Sequence, residues 1–325
     1  MILTVTLNPA LDLTYDVDEL RPHATHRVRA VHERPGGKGL NVARVLHAQG
    51  SPVLATGFLG GPVGASVQAL VDAAGLPSAF VPIASSTRRT VTVADAADAT
   101  GLWEPGPVVT APEWSAFLSR YGALLADASV VALSGSLPRG LPPSSYATLI
   151  RLARARGIPT VLDTSGDALR LALPAHPDVI KPNAAELAEI GHVRINALKT
   201  LTSGAVVVSR GALGLLAVTP AGSWRAAPPA ALAGNPTGAG DACVAALARG
   251  LRDRTPWPEL LADAVALSAA AVAAPVAGAV DEAVYRRLRP LIAVEQHDPA
   301  ALDPTADLAR DAVGVEEHDD AAAGR

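Results

Sequence analysis

The stretch Asn235-Pro236-Thr237-Gly238-Ala239-Gly240-Asp241-Ala242-Cys243 sets small residues directly before a carboxylate and an apolar run. Gly238, Ala239 and Gly240 leave backbone N–H groups open to close approach, and the run from Ala242 to Leu251 has the length of a helix. A helix starting there turns its positive end and its free amides toward an incoming anion. Asp241 then stands where a carboxylate can take a proton from a hydroxyl, which is the outline of a phosphoryl-transfer site. The same residues also suit a plain helix start in which Asp241 serves only the free amides, and this window alone leaves both readings open.

Other stretches offer partners for such chemistry. Pro35 to Leu46 is a glycine turn running into an amphipathic helix, with Lys38 and Asn41 as polar contacts near the helix start. It lacks both the GxxxxGK[ST] and the GxGxxG spacing, so it is neither a Walker loop nor a dinucleotide fingerprint. Asp12 follows one predicted strand and Ser134-Gly135-Ser136-Leu137-Pro138 ends another, at the carboxyl ends where α/β sheets collect ligands. A turn-stabilising role serves Asp12 equally well. Arg88 and Arg89 read as a solvated face, although Arg is also the side chain best shaped to grip a phosphate. Asn183 and Glu186 share a helical face at i,i+3, where Glu186 can reach a hydrated Mg²⁺. An N-capping Asn with a first-turn Glu explains the same pair.

Rival chemistries find less. His23 and His26 are the only close His pair and have no Cys, Asp or Glu at metal spacing, which argues against zinc. Ser134-Gly135-Ser136 is not a nucleophile elbow, because GxSxG is absent. Cys243, inside the predicted helix, reads as a packing residue. A helix start with Asp241, a turn with Lys38 and a candidate Mg²⁺ acid at Glu186 point together to a nucleotide-dependent kinase.

Alternating strands and helices must position these groups. Ile2 to Leu7 reads as a buried strand stopped by Asn8-Pro9, and Val53 to Leu59, Ala79 to Ile83, Ser129 to Leu133, Pro159 to Leu162, Val179-Ile180, Ala205 to Ser209 and Leu215 to Val218 read as further strands. Helices are expected at Val63 to Ala74, Glu113 to Leu125 and Ser144 to Arg156, then from Ala242, Pro258 and Asp281. Leu11 to Val17, His26 to Glu33 and Arg88 to Val93 alternate apolar and polar residues instead, as strands of a small half-exposed sheet do. That sheet cannot form a core of its own, so it is expected to be a lid that excludes water from the reaction.

The 325 residues are 49% hydrophobic and only 3% aromatic, with a formal net charge of -4 and one cysteine. No basic stripe calls for nucleic acid or membrane, and a single Cys excludes an intrachain disulfide and fits a reducing cytoplasm. The N-terminus lacks the charged region of a signal peptide, and Ala262 to Ala277 carries Asp263, Ser268 and Pro275, so it reads as a core helix and no membrane span is expected. The kinase domain is expected over residues 1–295, with lid segments near 11–33 and 85–105; from 296 to 325 the acidic tail lacks apolar periodicity and is expected to be disordered.

Taken in order, Thr6-Leu-Asn-Pro-Ala-Leu-Asp12, Gly36-Gly-Lys-Gly-Leu-Asn-Val-Ala-Arg44, Thr56 to Gly61, Ser134 to Pro138, Leu162 to Gly166, Lys181-Pro-Asn183 with Glu186, Ser209 with Gly211, and Pro236-Thr-Gly-Ala-Gly-Asp241 resemble the motifs of the ribokinase-like PfkB carbohydrate kinases. Within that family the chain looks most like the branch of tagatose-6-phosphate kinases and 1-phosphofructokinases. The resemblance implies a mostly parallel α/β sheet flanked by helices, a β lid, ATP and Mg²⁺, and a homodimer paired through the lid. It implies Asp241 as the base and Gly238, Ala239 and Gly240 as the anion hole. Asp12, Gly37, Lys38, Asn41 and Ser136 would hold the sugar, and Arg88 with Arg27 its phosphate. Lys181, Asn183, Ser209 and Gly211 would line the ATP site, with Asn183 and Glu186 managing Mg²⁺. The chain departs from the pattern at Thr90, where relatives commonly carry Asn, and in Ala94 to Gly101, which has no basic residue. The expected activity is phosphorylation of a ketohexose monophosphate to the bisphosphate. Fructose 1-phosphate, fructose 6-phosphate and tagatose 6-phosphate stay open as substrates. A kinase of an unphosphorylated sugar or nucleoside and a non-catalytic sugar-phosphate-binding module are the rival readings.

Overall fold

A computed structural model describes residues 1–191, 202 and 204–297. All but the first two residues of the expected tail lie outside them. The elements are β1 (Ile2–Thr6), β2 (Ala10–Asp16), β3 (Ala30–Gly36), α1 (Lys38–Ala48), β4 (Val53–Gly60), α2 (Gly61–Ala73), β5 (Val81–Ile83), β6 (Arg88–Ala94), β7 (Ala99–Trp103) and α3 (Ala111–Leu124). There follow β8 (Val130–Ser134), α4 (Ser145–Arg154), β9 (Thr160–Asp163), α5 (Gly166–Ala172), β10 (Val179–Ile180), α6 (Ala184–Glu189), β11 (Ala205–Ser209), β12 (Leu215–Thr219) and β13 (Gly222–Ala226). The last are α7 (Ala239–Asp253), α8 (Trp257–Ala273), α9 (Glu282–Leu288) and β14 (Val294–His297).

The main sheet has ten strands in the order β14-β13-β12-β11-β10-β9-β8-β1-β4-β5. From β5 to β11 neighbours run parallel, and β12, β13 and β14 add an antiparallel edge. Its central strands are continuous apolar runs because helices cover both faces. Along β1 the period of two sends Ile2 into the apolar cluster with α1, α7 and α8, and Leu3 and Val5 into the cluster with α3 and α4. Both clusters fix the strand ends, and the strand ends carry the candidate residues.

The small sheet runs β3-β2-β6-β7, with β2 and β6 parallel and both outer pairs antiparallel. β3 was expected from His26 but starts at Ala30, because its pairing with β2 ends where Asp16 meets Ala30. Arg27 is therefore on an exposed loop and not on a strand. β7, exposed along its whole length, gives no apolar alternation to read. α7 begins at Ala239, before the apolar run that announced it at Ala242, so Gly240 and Asp241 lie inside its first turn. Among the described residues no helix is long and apolar enough to cross a membrane.

Candidate active site

Gly238 caps α7 with φ 92°; the Ala239 amide donates to Pro236 O at 3.2 Å, and no side chain caps the first turn. A Cβ at Gly238 would come within 2.8 Å of Ala277 Cα. Gly238→Ala therefore meets both a left-handed φ and a backbone collision, a strain of about 1–3 kcal/mol. It is expected to lower the unfolding temperature by several degrees and turnover by more than about tenfold. Thermal melts and steady-state rates check this; a variant unchanged in both would show that the turn tolerates a side chain.

Asp241, the third residue of α7, is 6% exposed, and its Oδ2 accepts a 2.9 Å hydrogen bond from Asn41 Nδ2 of α1. Burial, helped by the negative charge of Asp163, pushes its pKa up to about 7 against the Asn41 hydrogen bond and the Lys38 and Lys181 charges. A carboxylate tuned near neutrality suits proton acceptance from a hydroxyl.

Below this group lies a chain of charges. Asp163 Oδ1, at the end of β9, is 3.3 Å from both Lys38 Nζ and Lys181 Nζ, and Lys38 Nζ is 3.8 Å from Glu186 Oε1. Lys181 and Asp163 are almost wholly buried. Burial opposes the Lys181 charge, yet Asp163, Cys243 and Glu186 outweigh it and hold the pKa above the ordinary lysine value. Lys181 Nζ sits 3.6 Å from where a Gly240 Cβ would be, so the ammonium lies directly under the first turn of α7. Asp163 was not among the expected site residues. Its signals were a strand end and membership of Leu162 to Gly166.

Beside the α7 turn a cavity of about 380 Å³ is bounded by Ser209, Gly211, Ala239, Gly240, Cys243 and Val265 among others, and its walls are mostly apolar. Ser209 and Gly211 thus meet the α7 turn in one space. Lys181 does not line it, and Asn183 adjoins it through a bridge to Ser209. Burial pushes the Cys243 thiol up to about 12, as befits a packing residue. Asn183 and Glu186 form the reciprocal helix cap: Asn183 Oδ1 accepts from Glu186 N and Glu186 Oε2 from Asn183 N, both at 2.8 Å.

Among the described residues no group of three or more His, Cys, Asp or Glu can cage a metal ion. Asp163 Oδ2 is a buried acceptor without a hydrogen-bond partner among the described residues, and Glu186 keeps Oε1 off its helix cap. Such a sparse oxygen set fits Mg²⁺, which retains waters and takes phosphate oxygens as ligands.

On the small sheet, Thr90 donates its hydroxyl to Asp12 Oδ1, and a Cβ at Gly36 would overlap the Asp12 carboxylate. Burial raises the Asp12 pKa, opposed by Thr90 and by the charges of Arg88 and Arg44. Gly37, at φ 107°, turns the chain from β3 into α1. Arg89 is bound to Glu104, with Nε 3.0 Å from Oε1. Arg88 is turned inward instead, its Nη2 donating to Asn8 O at 3.4 Å. Arg88 and Arg139 border a cavity of about 310 Å³ together with Ser86, Thr87, Arg89 and Glu104. Arg139, directly after the Ser134 to Pro138 motif, is a site residue the sequence reading passed over. Ser136 Oγ accepts a 3.0 Å hydrogen bond from Asn8 Nδ2. Among the described residues Arg27 makes no ion pair and stays outside this cluster.

Over residues 5–283 the chain matches the pfkB family carbohydrate kinase. Among solved structures, the tetrameric inhibited form of phosphofructokinase-2 from Escherichia coli is similar with a TM-score of 0.82 at 26% identity, over 89% of this chain and 98% of that one. The complex of that enzyme with fructose-6-phosphate gives 0.78 at 26% identity, over 88% and 98%. A possible 1-phosphofructokinase from Thermotoga maritima gives 0.81 at 26% identity, over 92% and 100%.

Proposed function

The chain belongs to the pfkB family of carbohydrate kinases, and from that premise we propose that it transfers the γ-phosphoryl group of ATP to a hydroxyl of a ketohexose monophosphate, giving the bisphosphate and ADP. The observation that carries the substrate class is the cavity bordered by Arg88 and Arg139, where the third lining arginine, Arg89, is already paired with Glu104, and where Arg88 also feels the charge of Asp12. Paired guanidinium groups suit a phosphate oxygen fork far better than a neutral hydroxyl.

Asp12, with Thr90 holding one oxygen, accepts hydrogen bonds from the sugar, and Gly37, Lys38, Asn41 and Ser136 complete its bed. The acceptor hydroxyl attacks the γ-phosphorus and its proton passes to an oxygen of Asp241, while the bond from that phosphorus to the bridging oxygen of ADP breaks. Asn41 orients Asp241 through Oδ2 and leaves Oδ1 for the hydroxyl. The amides of Gly238, Ala239 and Gly240 hold the moving phosphoryl oxygens, with Lys181 beneath them. Ser209 and Gly211 border the nucleotide, and Lys181 and Asn183 lie next to it. Enzymes of this family use ATP with a metal; Mg²⁺, held through water by Glu186 and Asn183, would supply positive charge to the phosphate chain. Closure of the small sheet over Asp12 excludes water. The single, buried Cys243 suits a reducing cytoplasm.

Coupled ADP detection with fructose 1-phosphate, fructose 6-phosphate, tagatose 6-phosphate, fructose and a nucleoside panel tests the proposal. One ketohexose monophosphate should exceed fructose in kcat/KM by at least about 100-fold, the size of one lost charge-assisted contact. A best substrate without a phosphate would contradict it.

The lid also carries the assembly proposed here, a homodimer. Leu102 and Trp103 are 59% and 77% exposed on the edge strand β7, apolar side chains on the two sides of an open strand edge that a second copy would cover. Light scattering should show a wild-type dimer and a Trp103→Asp monomer; a wild-type monomer at micromolar concentration would remove the lid interface.

A further inference from the structure

A relay of contacts joins the guanidinium groups of Arg88 and Arg139, and phosphoryl transfer itself does not use it. Arg88 Nη2 donates to the backbone carbonyl of Asn8 at 3.4 Å, and Arg139 Nε donates to the backbone carbonyl of Gly106 at 3.0 Å. Asn8 and Gly106 touch: a Cβ at Gly106 would fall 2.5 Å from Asn8 Oδ1 and 2.9 Å from its Cγ and Nδ2. Asn8 cannot step aside cheaply. It is 7% exposed at the end of β1, and Nδ2 is tied to Ser136 Oγ at 3.0 Å. Each arginine therefore hangs on a carbonyl, and the spacing of those carbonyls follows from how closely Asn8 packs on a residue without a side chain. Asn8 Oδ1 and Arg88 Nε are buried with no hydrogen-bond partner among the described residues. Native proteins seldom leave such atoms unpaired unless something else meets them.

We infer that Asn8 and Gly106 are positioning residues that set the separation of the Arg88 and Arg139 guanidinium groups, and with it the fit of this cavity to the phosphate of the sugar substrate. The inference rests on the reading that the cavity takes that phosphate. It adds residues that touch neither the transferred phosphoryl group nor the nucleotide. A methyl at Gly106 displaces Asn8 and so moves both carbonyls. A smaller residue at position 8 leaves room for that methyl.

The test is steady-state kinetics of Gly106→Ala, Asn8→Ser and the double variant. The substrates are fructose 1-phosphate, fructose 6-phosphate, tagatose 6-phosphate and unphosphorylated fructose, with Arg88→Ala as the reference. For the best ketohexose monophosphate, Gly106→Ala should raise KM about tenfold, with a much smaller fall in kcat and in kcat/KM for fructose. The double variant should recover KM to within about threefold of wild type, since the added methyl occupies the space that Asn8→Ser vacates. Equal losses on phosphorylated and unphosphorylated sugar, or no recovery in the double variant, would overturn the spacer. If Arg88→Ala itself fails to discriminate the two sugars, the phosphate reading falls and the spacer falls with it.

Discussion

Asp241→Asn is expected to lower kcat by about 10²–10⁴-fold, the range for loss of a general base, while KM for the ketohexose monophosphate stays within about threefold. The amide keeps the shape of the carboxylate and can still accept from Asn41, so binding geometry survives. It cannot take the hydroxyl proton. The wild-type rate should fall as pH drops below about 7, where the carboxylate takes up its own proton, and that limb should vanish in the variant. Stability should move the opposite way. The folded-state pKa of Asp241 is raised from 3.8 to about 7, so its favourable contribution is complete below pH 4 and is lost as pH rises toward and through 7. At pH 8 the neutral amide carries no such penalty, so Asp241→Asn should melt a few degrees above wild type. A variant both less stable and nearly as active would place the base elsewhere.

Arg88→Ala is expected to lower kcat/KM for the ketohexose monophosphate by roughly 30- to 150-fold, about 2–3 kcal/mol for one charge-assisted contact, almost all of it in KM. For fructose the fall should be no more than about threefold. Arg88 is the discriminating choice of the Arg pair because Arg89, although it borders the same cavity, is already bound to Glu104, whereas Arg88 is turned inward beside Asn8. Arg89→Ala should therefore leave the sugar-phosphate KM near wild type. Equal losses on both sugars in Arg88→Ala would mean that the cavity does not read a phosphate.

The alternation of strands and helices, the set-apart sheet and the α7 turn were legible because each has a local signature: period-two runs, a glycine turn, a carboxylate before an apolar run. Elements without one were missed. β7 is exposed throughout, α5 has only seven residues, and β13 is a five-residue edge-region strand. Site residues divide the same way. Lys38, Asn41, Asp12 and Arg88 stood in recognisable turns or strand ends, and the fold sets Asp12 near Arg88 and sets Asn41 and Lys38 near Asp241. Asp163 is joined to Lys38 across 125 residues of chain, a pairing no local window displays. Asn8 read as a strand stop and as part of the Thr6 to Asp12 motif, but its contacts to Ser136 and Gly106 come from the segments after β8 and β7 and no local window displays them. Asn183 and Glu186 were visible as a pair, and the capped-helix geometry is the arrangement they adopt.

The central claim is a phosphoryl transfer from ATP to a sugar phosphate, and ³¹P NMR of the purified chain with ATP, Mg²⁺ and each ketohexose monophosphate observes it directly. The γ-phosphorus signal should disappear as ADP and a second sugar-phosphate ester signal grow in equal amounts. Unchanged ATP with every sugar phosphate, or ADP and inorganic phosphate without a new sugar-phosphate ester, would contradict it.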